Sequence, residues 1–215
     1  MDYKAVLFDL DGTLLNTLDD IADSMNSVLE RNGFAPHPVE RYKKLIGGGV
    51  GDLSRRVLPD GFNNDDLAVK ISAQMRDEYS RRWGVKSRLY PGIDSMLDGL
   101  KKCGVPRSIL SNKPDDFTQT ICNHYFSRWY FEIILGATER FPKKPDPTAA
   151  LFIAREMGMA PDDILYLGDS GTDMKAAVAA GMYPVGALWG FRDAEELLAS
   201  GARLLLQKPE ELLAL

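Results

Sequence analysis

The chain alternates short, unbroken apolar runs with amphipathic stretches. Segment 4–9, KAVLFD, is one such run. Others recur at 105–111 (VPRSILS), 130–137 (YFEIILGA), 163–169 (DILYLGD), 183–189 (YPVGALW) and 202–207 (ARLLLQ). A continuous apolar run fits a strand covered on both faces, as inside a parallel sheet. Between these runs lie helix-period stretches at 92–103, 114–126, 147–158, 172–181 and 193–200. The alternation predicts βαβ units, an α/β fold whose right-handed crossovers lay helices on both faces of a parallel sheet.

Residues 16–84 break the alternation. TLDDIADSMNSVLERNG puts Leu18, Ile21, Ala22, Met25, Val28 and Leu29 on one helical face, with aspartates near its start and Gly33 just past its end. A second helical stretch, the glycine run GGGVG (47–51), LSRRVL and a long helix across 65–83 follow, without a strand signal. The pattern predicts an all-helical domain at 16–84 inserted into an α/β core made of 1–15 and 85–215. Hinges are expected near Leu15–Thr17 and Gly84–Ser87.

A net charge of −5 and a pI near 5.1 argue against a nucleic-acid partner, which calls for a basic face. No basic-then-apolar leader opens the chain and no run reaches the length of a membrane span, so a cytoplasmic protein without a membrane partner is expected. Cys103 and Cys122 stand in unrelated contexts and read as buried thiols rather than a disulfide or zinc site. His37, between prolines, reads as a solvated loop residue, and His124 as a helix-surface residue.

In a parallel sheet the carboxyl ends of the strands share one edge, where ligands bind. Four polar clusters sit at predicted strand ends: Asp9-Leu10-Asp11-Gly12-Thr13, Ser111-Asn112-Lys113, Lys143-Lys144-Pro145-Asp146, and Gly168-Asp169-Ser170-Gly171-Thr172-Asp173. Four carboxylates (Asp9, Asp11, Asp169, Asp173) in one cleft raise one another's pKa, and a hard divalent cation such as Mg²⁺ resolves that repulsion. Lys144 adds positive charge, while Thr13, Ser111 and the glycine turn offer donors suited to phosphoryl oxygens. Two aspartates one residue apart suit a nucleophile and its acid/base partner. The set points to phosphoryl transfer.

FDLDGTLLNT with the later SNK, KKPDP and GDSGTD resembles the haloacid dehalogenase superfamily, specifically its magnesium-dependent phosphatases. The resemblance spans nearly the whole chain, because the helical insertion falls where that family carries its cap. NKPDDFT, KPDP, GDSGTD and WGFRDAEEL look most like the phosphoglycolate phosphatase branch. The resemblance implies a Rossmann-like core with an inserted helical cap, and Asp9 as the nucleophile that forms an aspartyl-phosphate. Asp11 is then the acid and base, with Thr13, Ser111 and Asn112 at the phosphoryl group and Lys144 neutralising charge. Mg²⁺ is implied between Asp9, the Asp11 carbonyl and Asp169, with Asp173 acting through water or by orienting Lys144. The implied partner is a small phosphorylated metabolite, the protein being a monomer or homodimer. A sugar phosphomutase, a pyrophosphatase and a receiver-like, phosphorylation-switched module are the alternative readings.

Other residues carry plainer expectations. Gly48 and Gly49 are read as cap-loop N–H donors to phosphate, with a flexible turn as the equal alternative. Lys113 reads as a solvated loop lysine with substrate contact as its alternative, Arg55 and Arg56 as cationic candidates for a substrate carboxylate with at least one of them solvated, and Trp189 and Phe191 as packing residues.

Overall fold

The computed structural model describes residues 3–62 and 64–215. In chain order its elements are β1 (Ala5–Phe8), β2 (Leu15–Asn16), α1 (Leu18–Arg31), α2 (Val39–Leu45), α3 (Val50–Arg56), α4 (Asp65–Ser80), β3 (Arg88–Leu89) and α5 (Ile93–Lys102). They continue as β4 (Arg107–Pro114), α6 (Asp115–Tyr125), β5 (Ile134–Ala137), α7 (Thr148–Glu156), β6 (Ile164–Gly168), α8 (Gly171–Ala180), β7 (Tyr183–Ala187), α9 (Ala194–Ala199) and β8 (Leu204–Leu206). The chain divides into two compact units. One combines the chain up to Asn16 with Leu89–Leu215; the other is Thr17–Arg88.

The first unit is the α/β fold the apolar runs predict. Its six strands form one sheet in the order β5-β4-β1-β6-β7-β8, and every pairing is parallel. All four residues of β1 are buried because strands flank it on both sides. Ala5, Leu7 and Tyr166 pack with Ala149, Ala150 and Ile153 of α7 and with Ala176 and Ala177 of α8. The alanines let both helices sit close on the sheet. A buried leucine such as Leu7 contributes about 1.5–3 kcal/mol through its transfer from water.

Strand register sets up the functional edge. Phe8 lies opposite Ile109 on one side and Leu167 on the other, so Asp9, the segment after Leu110, and Asp169 leave the sheet side by side. The β4–β5 pairing then jumps from Leu110↔Leu135 to Pro114↔Ala137. β4 advances four residues while β5 advances two, a bulge that re-aims Ser111, Asn112 and Lys113 away from strict alternation. All three are buried. α8 begins with a capping box, in which Ser170 and Asp173 satisfy each other's backbone N–H groups.

The second unit is helical. Leu18, Ile21, Ala22, Met25, Val28 and Leu29 of α1 are all buried, the face the 3.6-residue period predicts. Asn64 caps α4 by accepting from the Leu67 N–H at 2.8 Å. The Asp20 carboxylate accepts from the N–H groups of Lys86 and Ser87 and from the Ser87 hydroxyl. That clasp ties residues 86–87 to α1, and the unit accordingly runs on to Arg88.

Several single-residue expectations change. His37 is half-buried, its Nε2 lying 2.8 Å from the Val57 carbonyl and its N–H donating to Asn26 Oδ1. The loop is therefore pinned by polar contacts. Cys103 is exposed; Cys122 is buried, and burial pushes its thiol up to about 12. Among the described residues no helix is long and apolar enough to cross a membrane.

Candidate active site

Asp9 directly follows β1, and its N–H donates to the Leu167 carbonyl of β6 at 3.0 Å. That backbone bond fixes the carboxylate at the junction of the two central strands. Its Oδ1 lies 2.8 Å from Lys144 Nζ, and the same ammonium lies 2.7 Å from Asp173 Oδ1 and donates to the Leu110 carbonyl at 2.9 Å. Three acceptors thus surround a lysine that is 5% exposed. Burial works against the Lys144 charge, but Asp173 and Asp9 outweigh it and hold the proton well above the ordinary lysine value. The neighbouring Lys143 is exposed.

The other three clusters converge on the same edge. The Thr13 hydroxyl donates to Asp169 Oδ1 at 3.1 Å, and the Phe191 N–H donates to Asp169 Oδ2 at 2.7 Å. Asp173 Oδ2 accepts from the Ser170 N–H and hydroxyl, so both its oxygens are engaged and it anchors Lys144. Gly12 has φ +90°, and a Cβ there would meet Asp169 Oδ2 at 2.3 Å; only glycine permits this turn.

Asp9, Asp169 and Asp173 each bring a carboxylate oxygen within 4.8 Å of the others, all buried. Burial, then the Asp173 charge, raises the Asp9 carboxyl well above its ordinary value and pushes Asp169 up to about 7. Asp11 pairs with Lys113, Asp9 and Asp173 share Lys144, and Asp169 accepts from Thr13 and Phe191, neither of them charged. A hard divalent cation offsets the repulsion among Asp9, Asp169 and Asp173, and an all-oxygen donor set suits it. The residues fit such an ion.

Two predicted phosphate ligands have other engagements. The Asn112 side chain brackets the Lys144 backbone, its Oδ1 accepting from the Lys144 N–H at 2.9 Å and its Nδ2 donating to the Lys144 carbonyl at 3.0 Å. It positions the lysine. The Ser111 hydroxyl oxygen accepts from the Lys113 N–H at 3.2 Å. Gly48 and Gly49 belong to the helical unit. There a Cβ on Gly48 would lie 2.2 Å from Asp52 Oδ2, so a carboxylate closes on that glycine. Arg55 and Arg56, about half exposed, pair with Asp65 and Asp52.

Lys113 is the main surprise. It is buried, and its Nζ lies 2.9 and 2.8 Å from the two oxygens of Asp11. The β4 bulge carries it there, and a bulge has no signature in apolar patterning. The signal available was charge: four strand-end aspartates need more than one lysine. Trp189 and Phe191 also do more than pack. The indole N–H of Trp189 donates to the Thr13 carbonyl at 2.9 Å. A Cβ on Gly190 would strike Asp169 Cβ at 2.2 Å, so the loop after β7 lies directly against the site.

Residues 6–187 match the family described as haloacid dehalogenase-like hydrolase. A Pseudomonas putida protein named phosphoglycolate phosphatase is 32% identical over 214 residues, covering 98% of this chain and 78% of its own length. A protein of the same name from Aquifex aeolicus is 33% identical, covering 87% of this chain and 86% of its own. The crystal structure of a predicted phosphoglycolate phosphatase from Haemophilus somnus superposes with a TM-score of 0.90 at 28% identity, covering 100% of this chain and 98% of that one. With its strand-end carboxylates, its buried lysines and a match over most of its length, the chain belongs to the haloacid dehalogenase-like hydrolases, among relatives named as phosphatases.

Proposed function

We propose that the protein is a Mg²⁺-dependent phosphatase of small phosphomonoesters, with phosphoglycolate the first substrate to test. The observation that carries this reading is the Asp9 carboxylate held 2.8 Å from buried Lys144 beside two further carboxylates. Asp9 attacks phosphorus, an O–P bond forms, and the bond to the leaving oxygen breaks. Asp11 gives that oxygen its proton. Asp11 then takes a proton from water, which attacks phosphorus in the aspartyl-phosphate, releasing phosphate and restoring Asp9. Lys144 offsets charge on Asp9 and the phosphoryl group, and Asp173 and Asn112 hold that lysine in place. The Ser111 hydroxyl, and the Thr13 hydroxyl once it turns from Asp169 Oδ1, donate to phosphoryl oxygens. Mg²⁺, held by Asp9, Asp169 and the Asp11 carbonyl, supplies charge neutralisation at the phosphoryl oxygens.

The helical unit is assigned the part of a cap that sets specificity, with Gly48 and Gly49 as backbone donors. Its relatives' names support phosphoglycolate as substrate. The protein is assigned to the cytoplasm as a monomer or homodimer, working without nucleic acid or membrane. The test is Mg²⁺-dependent phosphate release from phosphoglycolate, pyrophosphate, nucleoside monophosphates and sugar phosphates, with Asp9→Asn as the control. Release that is unaffected by Asp9→Asn or by chelation overturns the reading.

A further inference from the structure

We infer that Lys113 selects the substrate's leaving group, by binding a carboxylate carried on the carbon that bears the ester oxygen. The inference rests on the phosphatase reading above and names the residue that narrows its substrate class. Among the described residues the buried basic side chains are Arg107, Lys113 and Lys144. Arg107 begins β4, at the edge opposite the strand-end clusters. Lys144 already has Asp9, Asp173 and the Leu110 carbonyl around its ammonium, one acceptor for each of its three N–H bonds. Arg192, its side chain 11% exposed, pairs with Glu196 and acts on Asp169, whereas Lys113 is the buried cation paired to Asp11.

Its position matches a particular leaving group. Lys113 Nζ clasps both oxygens of Asp11, and Asp11 is the residue assigned to the ester oxygen. The ammonium therefore lies one hydrogen-bonded contact beyond the leaving atom. A carboxylate joined to the adjacent carbon extends from that atom by one further bond, as in phosphoglycolate. An ammonium has three N–H donors in flexible directions, so it bridges two carboxylates or passes from one to the other. Its side chain is 5% exposed, which excludes competing water and makes the ion pair selective against an uncharged group.

The test compares phosphoglycolate with ethyl phosphate, in which a methyl replaces the carboxylate. The measured quantity is the ratio of kcat/KM for the two esters on the same preparation, so an unfolded fraction cancels. Wild type is expected to favour phosphoglycolate by about 100-fold or more, Lys113→Met to bring the ratio within about tenfold of unity, and Lys113→Arg to restore part of it. Should Lys113→Met be too slow for kinetics, calorimetric binding of both esters to Asp9→Asn with and without Lys113→Met reads the same ratio without turnover. A Lys113→Met protein that keeps the wild-type ratio, even at lower rates on both esters, overturns the inference and leaves Lys113 as a support for Asp11. A wild-type enzyme with no preference between the esters, or no turnover of either, overturns the substrate reading itself, and this inference with it.

Discussion

Two buried aspartates, one in each unit, follow opposite rules. Asp20 of the helical unit is 1% exposed, and its carboxylate accepts from two backbone N–H groups and a hydroxyl at 2.7–3.0 Å. Asp169 of the α/β unit is also 1% exposed, yet it shares its surroundings with Asp9 and Asp173, and burial together with Asp173 pushes its carboxyl up to about 7. Asp169 also accepts from its own chain, from the Thr13 hydroxyl and the Phe191 N–H, but oxygens of two further buried carboxylates lie within 4.8 Å. That crowding of like charge is what suits a site for chemistry. The two environments distinguish a structural acid from a working one where burial alone does not.

The sharpest way to break this contrast is on the working side. Asp9→Asn should lower phosphatase turnover by at least about 10⁴-fold, measured as phosphate release. Next comes Lys113→Met, with its expected loss of about tenfold or more on phosphoglycolate relative to ethyl phosphate. On the structural side, Asp20→Ala leaves the Lys86 and Ser87 N–H groups without their acceptor. It should cost about 2–4 kcal/mol in denaturant unfolding. Asp169→Asn should do the reverse in metal-free protein, raising stability at pH 8 by roughly 1–3 kcal/mol while removing activity.

The same contrast predicts a pH dependence. Below about pH 4 the Asp169 carboxyl is protonated in both folded and unfolded chains. Between about 4 and 7 only the folded chain holds the proton, and above that folding buries an already ionised carboxylate. Metal-free protein should therefore lose stability as pH rises through this window. Saturating Mg²⁺ should flatten the curve, because the ion takes the proton's place. The smallest effect is expected for Trp189→Phe, which removes the indole donor to the Thr13 carbonyl and should cost about 1 kcal/mol in thermal unfolding.

Much of this was legible in the chain because it rests on local pattern. The six apolar runs became the six parallel strands, and the buried face of α1 matched its helical period residue by residue. Strand ends in a parallel sheet share an edge by topology, so Asp9, Asp169 and the Ser111–Lys113 segment meet although they are distant in sequence. What was not legible depends on tertiary detail. The two-residue strands β2 and β3 are too short to carry a period. Lys113 lies in the stretch where β4 shifts register against β5, which no local pattern announces. The motif places Asn112 at the phosphoryl group, but that its side-chain amide brackets the backbone of Lys144, 32 residues away, depends on tertiary contact. Within the stretch Gly84–Ser87, where a hinge is expected, Lys86 and Ser87 are bonded to Asp20, 66 and 67 positions earlier, a contact no local pattern shows.

In the proposed mechanism Asp9 carries the phosphoryl group during turnover. Rapid acid quench of enzyme mixed with phosphoglycolate and Mg²⁺, followed by mass spectrometry of the proteolysed chain, detects that group. A transient phosphoryl adduct is expected on the peptide containing Asp9, located at that residue by reductive trapping and absent in Asp9→Asn. Turnover without any adduct, or an adduct on another residue, would contradict it.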